Sequence, residues 1–425
     1  MVEKIREHLF SEQLKFQFRM NAKDFTRDRV LTFSTTLLFM MNFLRKSLAI
    51  EIFNFVKNIK TQSFSKSAFV QCRKKINPLV FKELSQVLTR EFYTDNDESV
   101  KLWKGFRLLA VDGSRISLPD TKELRSKYGA TKNQTATSVV QARMSVLYDV
   151  LNNYVIDGKI APLTIGEKSM AIEHLAHTKS NDLVIYDRGY PSFDLIYEHL
   201  QLKIDCLIRV KVSFSNASKN FVESGKYSCV IDMQPGKNIS LKHKNYTKND
   251  SAKVRLIRVD LPDGTTEVLM TTLLCSKTYP TGVFKDLYLK RWGVENYYDE
   301  LKNKIKVELF SGYSDQCIQQ DFNAALFISN IQTLMVAELN EELQEKQKTK
   351  YKYKVNSNLS YGFLKDRIVE LFLSNKEMDV VFLELKEIFS KNLIPIRPNR
   401  NFNRHKDKYR NRVKPKVTKN QRDAL

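Results

Sequence analysis

Residues 107–113 read RLLAVDG and residues 182–189 read DLVIYDRG, two apolar runs that each end in an aspartate followed within two residues by glycine. Leu108-Leu109-Ala110-Val111 and Leu183-Val184-Ile185-Tyr186 leave no polar face, as expected of strands inside a sheet that is covered on both sides. Asp112 and Asp187 then stand where each strand is expected to give way to a turn. A carboxylate there loses hydration unless something compensates. If the two strands are parallel neighbours, both side chains emerge at one edge of the sheet, and a divalent cation between them offsets their repulsion. For either residue taken singly the alternative is an Asp that caps the following turn, with Gly113 and Gly189 as turn formers.

Outward from these runs, QARMSVLYDV (141–150) and NYVIDGKIAP (153–162) read as an antiparallel pair joined at Leu151-Asn152-Asn153. Residues 167–177 read as a helix, residues 192–202 as another, and DCLIRVK (205–211) as a fifth strand. The order is three strands, helix, strand, helix, strand, so the expected fold class is α/β, a mixed sheet flanked by helices. Residues 212–278 carry only strand-like segments, including a hairpin turning at Pro262-Asp263-Gly264, and read as a β-rich insertion.

The expected domains follow from these shifts in pattern. Residues 1–100 form a helical domain suited to DNA binding, with SKSAFVQCRKKINPLVFKELSQVL (65–88) giving two helices broken at Asn77-Pro78 just after Arg73-Lys74-Lys75. Residues 101–211 are expected to form the first part of an α/β core, 212–279 the insertion, 280–330 the second part of the core, and 331–391 a helical region. Residues 392–425 form a basic, polar tail with prolines at 395, 398 and 415, expected to be disordered or to fold on DNA.

The third acid comes after Pro280. In YLKRWGVENYYDELKNKI (288–305), read as a helix at about 100° per residue, Tyr288, Arg291, Glu295 and Lys302 share a sector of roughly 60°, so one face carries all four. Leu287, Val294, Leu301 and Ile305 form the neighbouring apolar stripe, suited to packing on a sheet. A solvated Arg-Glu-Lys ladder is the alternative, against which Tyr288 stands as an aromatic that such a face does not require. Asp299, one turn beyond Glu295, is the second choice for a ligand.

With the gaps Tyr-x2-Arg-x3-Glu-x6-Lys, with VDGS at 111–114 and with YDRGY at 186–190, residues 65–310 resemble the insertion-sequence transposases of the DDE class, in the insertion-sequence-four type that carries this signature. The resemblance implies an RNase H-like core with Asp112, Asp187 and Glu295 as catalytic metal ligands. It implies Mg²⁺, two ions, with Mn²⁺ as the expected substitute, and a reaction of DNA cleavage and strand transfer. Tyr288, Arg291 and Lys302 become contacts to DNA phosphates, and Arg188 beside the second aspartate a further one. Trp103 and Trp292 suit either base stacking or a core and stay outside the expected site. The implied partners are double-stranded DNA, as terminal inverted repeats and target, and a second copy of the chain in a homodimeric synaptic complex. A metal nuclease that never joins strands, or an inactive DNA-binding copy, is the alternative function.

Composition agrees with such partners. The 425 residues carry 70 Lys plus Arg against 48 Asp plus Glu, a formal charge of +22, and the positive field favours a polyanion. Five scattered cysteines and six histidines show no zinc spacing, which points to a reduced, intracellular protein, and His174 and His177 read as surface or half-buried residues. The start MVEKIREHLF lacks the apolar segment of a secretion signal. LTFSTTLLFMMNFL (31–44), at fourteen residues, is too short to span a bilayer and reads as a buried helix. A soluble, cytoplasmic, DNA-associated protein without a membrane partner is the expectation.

Overall fold

The computed structural model describes residues 1–27, 29–42, 46–95, 99–132, 138–236, 244–346, 351–373 and 378–397. They fall into two compact units, residues 1–97, 115–142 and 299–425 in the first and residues 98–114 and 143–298 in the second. The N-terminal helices are therefore not a body of their own. They share a unit with the C-terminal helices, which replaces the expected separate domains at 1–100 and 331–391.

The first unit opens with α1 (Val2–Phe10), α2 (Glu12–Phe18), α3 (Phe33–Met41), α4 (Leu48–Ile59), α5 (Lys66–Arg73) and α6 (Val80–Asp95). The expected buried helix at 31–44 is α3: Thr32 caps it by accepting from the Thr35 amide, and Phe33, Leu37, Leu38, Phe39, Met40 and Met41 are all buried. Phe39 meets the rings of Phe55 and Phe69 edge-on at 5.0 and 4.7 Å, which ties α3 to α4 and α5. The last residues of that apolar stretch lie outside the described ones. Arg73 is not an exposed member of a basic turn, because it is 2% exposed and pairs with Asp321 at 3.0 Å while donating to Gln320 and Ser311. A guanidinium buried with so many partners is structural and leaves nucleic acid only Lys74 and Lys75 of that turn.

In the second unit the chain forms β1 (Arg107–Ser117), whose last three residues already belong to the first unit together with α7 (Lys122–Tyr128), β2 (Ala130–Lys132) and the start of β3 (Ser138–Asp149). It continues with β4 (Val155–Ala161), α8 (Glu167–His174), β5 (Asp182–Tyr186), α9 (Phe193–Leu202), β6 (Asp205–Val210), α10 (Asn216–Glu223), β7 (Ser228–Met233), β8 (Ala252–Asp260) and β9 (Thr266–Thr271). The three strands, helix, strand, helix, strand read from the sequence are all present, with α7 and the short β2 added between the first strand and the second. The sheet of this unit runs β4-β3-β1-β5-β6-β9-β8-β7, with β1, β5 and β6 parallel and the remaining described pairs antiparallel.

One expectation about residues 212–278 changes. The residues read as a β-rich insertion extend the same sheet, β9 pairing with β6, an edge reinforced where Thr271 donates to the Cys206 carbonyl and Thr272 accepts from the Cys206 amide. They also contain a helix, α10, capped by Ser215 accepting from the Ser218 amide. With Phe221 and Ser218 its only buried side chains, α10 gives too little apolar period to read in the sequence.

After Pro280 come α11 (Val283–Leu289) and α12 (Trp292–Asp299), and then, in the first unit, α13 (Asp315–Lys346), β10 (Lys352–Val355), α14 (Ser357–Leu373), α15 (Met378–Ser390) and β11 (Leu393–Ile396). β10 and β11 pair antiparallel, so the expected tail begins with an ordered strand, and residues 398–425 lie outside the described ones. Among the described residues only Asp315–Leu343 of α13 is long and apolar enough to cross a membrane. Since 78% of its most apolar part is buried inside the protein, it is a core helix.

Candidate active site

Strand register relates the two aspartates. Parallel pairing aligns Arg107 with Asp182, Leu108 with Leu183, Leu109 with Val184 and Ala110 with Ile185, and the same offset carries Asp112 to Asp187. Period-two alternation then sets their direction. Leu108, Leu183 and Ile185 pack in one cluster with Phe284, Leu287 and Tyr288 of α11, so Asp112, of matching parity within β1, lies toward the face that α11 covers. Leu109, Val184 and Tyr186 take the other face, where the Tyr186 hydroxyl bonds His199 of α9 at 2.8 Å.

Asp112 departs from one expectation. No turn follows it, because β1 runs on to Ser117. Gly113 is needed for space rather than for a turn, since a Cβ there would stand 2.9 Å from Cγ of Glu167. The Gly113 amide donates to Asp112 Oδ1 at 2.8 Å. Asp187 does stand at a strand end, and its Oδ1 accepts from the Gly189 amide at 2.7 Å, so it also serves as the turn cap that the sequence allowed.

Glu295 is placed by α12, whose buried residues are Val294, Tyr297 and Tyr298. Tyr297 stacks on Tyr148 of β3 with centroids 4.8 Å apart, and the Tyr298 hydroxyl donates to the main-chain carbonyl of Asp112 at 2.6 Å. Gly293 lets the helix start close to β3, a Cβ there standing 3.2 Å from Val150. The three acids thus belong to one compact unit and feel one another's charge. Burial pushes the Asp112 carboxyl up to about 6, the Gly113 amide and the Arg291 guanidinium oppose that rise, and the negative fields of Asp187 and Glu295 add to it.

Arg291 is the counter-charge in this cluster. It is 7% exposed, pairs with Glu295 at 2.6 Å and lies against the rings of Tyr288 and Trp292. Burial works against its charge, but the bond to Glu295 and the fields of Tyr288, Glu295 and Asp112 outweigh it and hold its pKa above the usual arginine value. Tyr288 itself is a core residue whose hydroxyl meets Arg291. Arg188 is exposed and lines a cavity of about 690 Å³ with Arg209, Lys211 and Lys219, Arg209 being held by Glu267 at 2.7 Å.

The segment 288–305 is not one regular helix. It tightens at Lys290–Val294, where amides bond the carbonyl three residues back, and widens at the π-turn Glu300–Lys304. Lys302 sits on that π-turn in the first unit, so the uniform 100° spacing that put four residues on one face does not reach it. Asp299 also belongs to the first unit and accepts from Asn303 at 2.7 Å. Trp103 is packed against Phe106 and Tyr279, whereas Trp292 is 48% exposed.

Among the described residues no three His, Cys, Asp or Glu side chains are gathered tightly enough to hold a metal ion. Each acid instead leans on its own donor, the Gly113 amide, the Gly189 amide or Arg291. The donor set still fits a hard divalent cation by its chemistry: three carboxylates, one of them raised by burial and further by the fields of the other two, and no soft ligand. Beside them two buried polar atoms, Tyr190 Oη and Arg291 Nε, have no partner. Tyr190 feels Asp112, Glu167 and Asp187, so a polar ligand bound between the acids has a hydroxyl ready to meet it.

Sequence reasoning missed several of these groups. Tyr190 lay in the quoted YDRGY run without a role, while Glu167 and Arg143, an ion pair at 3.5 Å, carried no signal of their own. His174, read as surface or half-buried, is fully buried. A lone histidine on a short helix gives no clue to what the strands place around it.

A model of the transposase DDE domain family matches residues 103–331, more than half of the chain. The chain is 29% identical over 140 residues to the putative transposase InsZ of Escherichia coli strain K12, an alignment that covers 31% of this chain and 44% of that protein. It is 22% identical over 251 residues to the transposase InsG for insertion sequence element IS4 of the same organism, covering 57% of this chain and 55% of that one. The chain therefore spans about half the length of these curated relatives, 44% and 55%. Among solved structures, a cryo-EM structure of a piggyBac transposase synaptic complex with hairpin DNA aligns over 91% of this chain and 85% of that chain, with a TM-score of 0.45 and 8% sequence identity.

Proposed function

The chain belongs to the transposase DDE domain family, and on that premise we propose that it is an insertion-sequence transposase that cuts the DNA at the ends of its element and joins them to a target at Asp112, Asp187 and Glu295. The observation that supports this reading is the register of β1 with β5, whose offset continued past Ala110 and Ile185 relates Asp112 to Asp187, together with the negative fields of Asp187 and Glu295 at the Asp112 carboxyl. Nothing about folding alone calls for three carboxylates in one another's field, because like charges there cost stability.

The family uses divalent metal ions, and we assign them here as two Mg²⁺ held by Asp112, Asp187 and Glu295, with Mn²⁺ able to replace them. When bound, such ions supply the Lewis acidity that activates water, and later a DNA 3′-hydroxyl, as a nucleophile. The chain's own residues hold the DNA. Arg291, half committed to Glu295, has an Nε–H to offer a phosphate oxygen, and the Tyr288 hydroxyl orients its guanidinium. Arg188, with Lys211 and Lys219 around the neighbouring cavity, takes the backbone of the strand beyond the scissile phosphate. Lys302, the last residue of the signature, adds a phosphate contact. The substrate is the element's terminal inverted repeats and then target DNA, bound by two copies of the chain.

The test uses duplex DNA carrying the inverted repeats that flank the gene, with a target plasmid and Mg²⁺. Wild-type protein is expected to cut at the repeat end and join that end to the plasmid. Asp112→Ala, Asp187→Ala and Glu295→Ala are each expected to abolish both steps while still retaining the repeat DNA. Cutting without joining would make the protein a nuclease, and cleavage that survives any one substitution would remove that residue from the set.

A further inference from the structure

Inside the second unit a chain of buried polar side chains ends on the main chain of Asp112. Asp157 of β4 and His174 of α8 meet at 2.7 Å between Oδ2 and Nδ1, and His174 Nε2 stands 3.0 Å from Oγ of Ser145 on β3. The Ser145 hydroxyl reaches the Asp112 carbonyl at 3.3 Å. Because the Ser145 hydroxyl gives its one proton to the Asp112 carbonyl, it accepts from His174 Nε2, so the side chains follow the order of a Ser-His-Asp triad with that hydrogen bond reversed. It is not a nucleophile, because the three side chains are 0 to 2% exposed and the hydroxyl faces a peptide group rather than a substrate.

The far end of the chain shows what it does. The Asp112 carbonyl and the Gly113 amide belong to one planar peptide group. That carbonyl is gripped by Ser145 and by Tyr298, and that amide donates to Asp112 Oδ1. Fixing the carbonyl therefore fixes the plane whose N–H aims the carboxylate. An apolar core at these positions would avoid the desolvation of Asp157 and His174, so a buried polar chain that ends on this one peptide needs a further reason.

We propose that Asp157, His174 and Ser145 are positioning residues that, with Tyr298, lock the Asp112–Gly113 peptide so that the Asp112 carboxylate is held ready for the cation, an inference that rests on the site proposed above. Residues behind a metal ligand typically tune affinity by about 10-fold to 100-fold.

The test measures binding of Mn²⁺ alone to the full chain, followed by the electron paramagnetic resonance signal of the free ion. Ser145→Ala, His174→Gln and Tyr298→Phe are each expected to weaken Mn²⁺ binding by about 10-fold. The double variant S145A/H174Q is expected to be no weaker than S145A, because both cut the same chain. A residue that merely fills the core would change the melting temperature and leave Mn²⁺ affinity alone. Asp112→Ala is the reference and is expected to abolish binding. If it does so while S145A, H174Q and Y298F bind Mn²⁺ within 2-fold of wild type, the positioning role is overturned and the site stands. If Asp112→Ala binds Mn²⁺ as wild type does, the site itself is wrong and the positioning role falls with it.

Discussion

Asp187 follows Asp112 by 75 residues, the same offset that relates Arg107 to Asp182 and Ala110 to Ile185 across the parallel pair β1 and β5. Neighbouring parallel strands in register point paired side chains the same way, so the ladder that ends at Ala110 and Ile185 leads toward both carboxylates, and the turn capped at Gly189 fixes Asp187 just past it. The consequence is electrostatic, and it can be measured.

Asp112→Asn is expected to stabilise the metal-free protein at neutral pH. The Asp112 carboxyl titrates at about 6 in the folded chain, above an unfolded value near 4, so its ionisation destabilises the fold. That cost is absent below the unfolded value and complete above about 6. Removing the charge while keeping an acceptor for the Gly113 amide is expected to give on the order of 1–3 kcal/mol at pH 7.5, read from the denaturant midpoint, and less at pH 4.5. A destabilised variant at pH 7.5 contradicts the strained-carboxylate picture.

The glycine after that aspartate tests the packing around it. Gly113→Ala places a Cβ against the Glu167 side chain and is expected to cost about 1–3 kcal/mol. In a Glu167→Ala background the same substitution is expected to cost only a few tenths of a kcal/mol. Equal costs in the two backgrounds would place the strain elsewhere.

His199 supplies the opposite pH response. It is fully buried, bonded to Tyr186 and to the Ile204 carbonyl, and burial pulls its pKa down to about 4. With the folded value below the unfolded one, the unfolded chain takes up the proton first. Stability is therefore lost as pH falls from about 6.5 to about 4, by on the order of 3 kcal/mol. Urea unfolding across that range is expected to show this slope in the wild type and to lose it in His199→Gln, and the same slope in both would exclude His199 as its source.

DNA binding is expected to weaken steeply with salt, because each phosphate contact releases a counterion. Replacing Lys211 and Lys219 together with Gln is expected to reduce the slope of log affinity against log salt by about 2. An unchanged slope would mean that the DNA does not pass through this cavity.

The sequence made the sheet and the acids legible for a common reason. Apolar runs such as Leu183–Tyr186 are local, and a signature such as Tyr288, Arg291, Glu295 is a spacing within one segment. What stayed hidden depends on contacts between segments. The pairing of β9 with β6 joins the β-rich insertion to the same sheet, and the π-turn at Glu300–Lys304 breaks the uniform period that had assigned Lys302 its face. Arg73, read beside Lys74 and Lys75 as part of a basic turn between two helices, is instead neutralised by Asp321, far along the chain. Ser145, His174 and Asp157 come from three separate elements, and no local pattern announces their meeting.

The central claim is that Asp112, Asp187 and Glu295 close around divalent cations. Crystals of the full chain grown with Mn²⁺ and measured at the manganese absorption edge test it most directly. The account expects anomalous peaks bounded by carboxylate oxygens of all three residues, with the Arg291–Glu295 bond lengthened or broken. Manganese bound elsewhere, or bound without any one of the three, would contradict it.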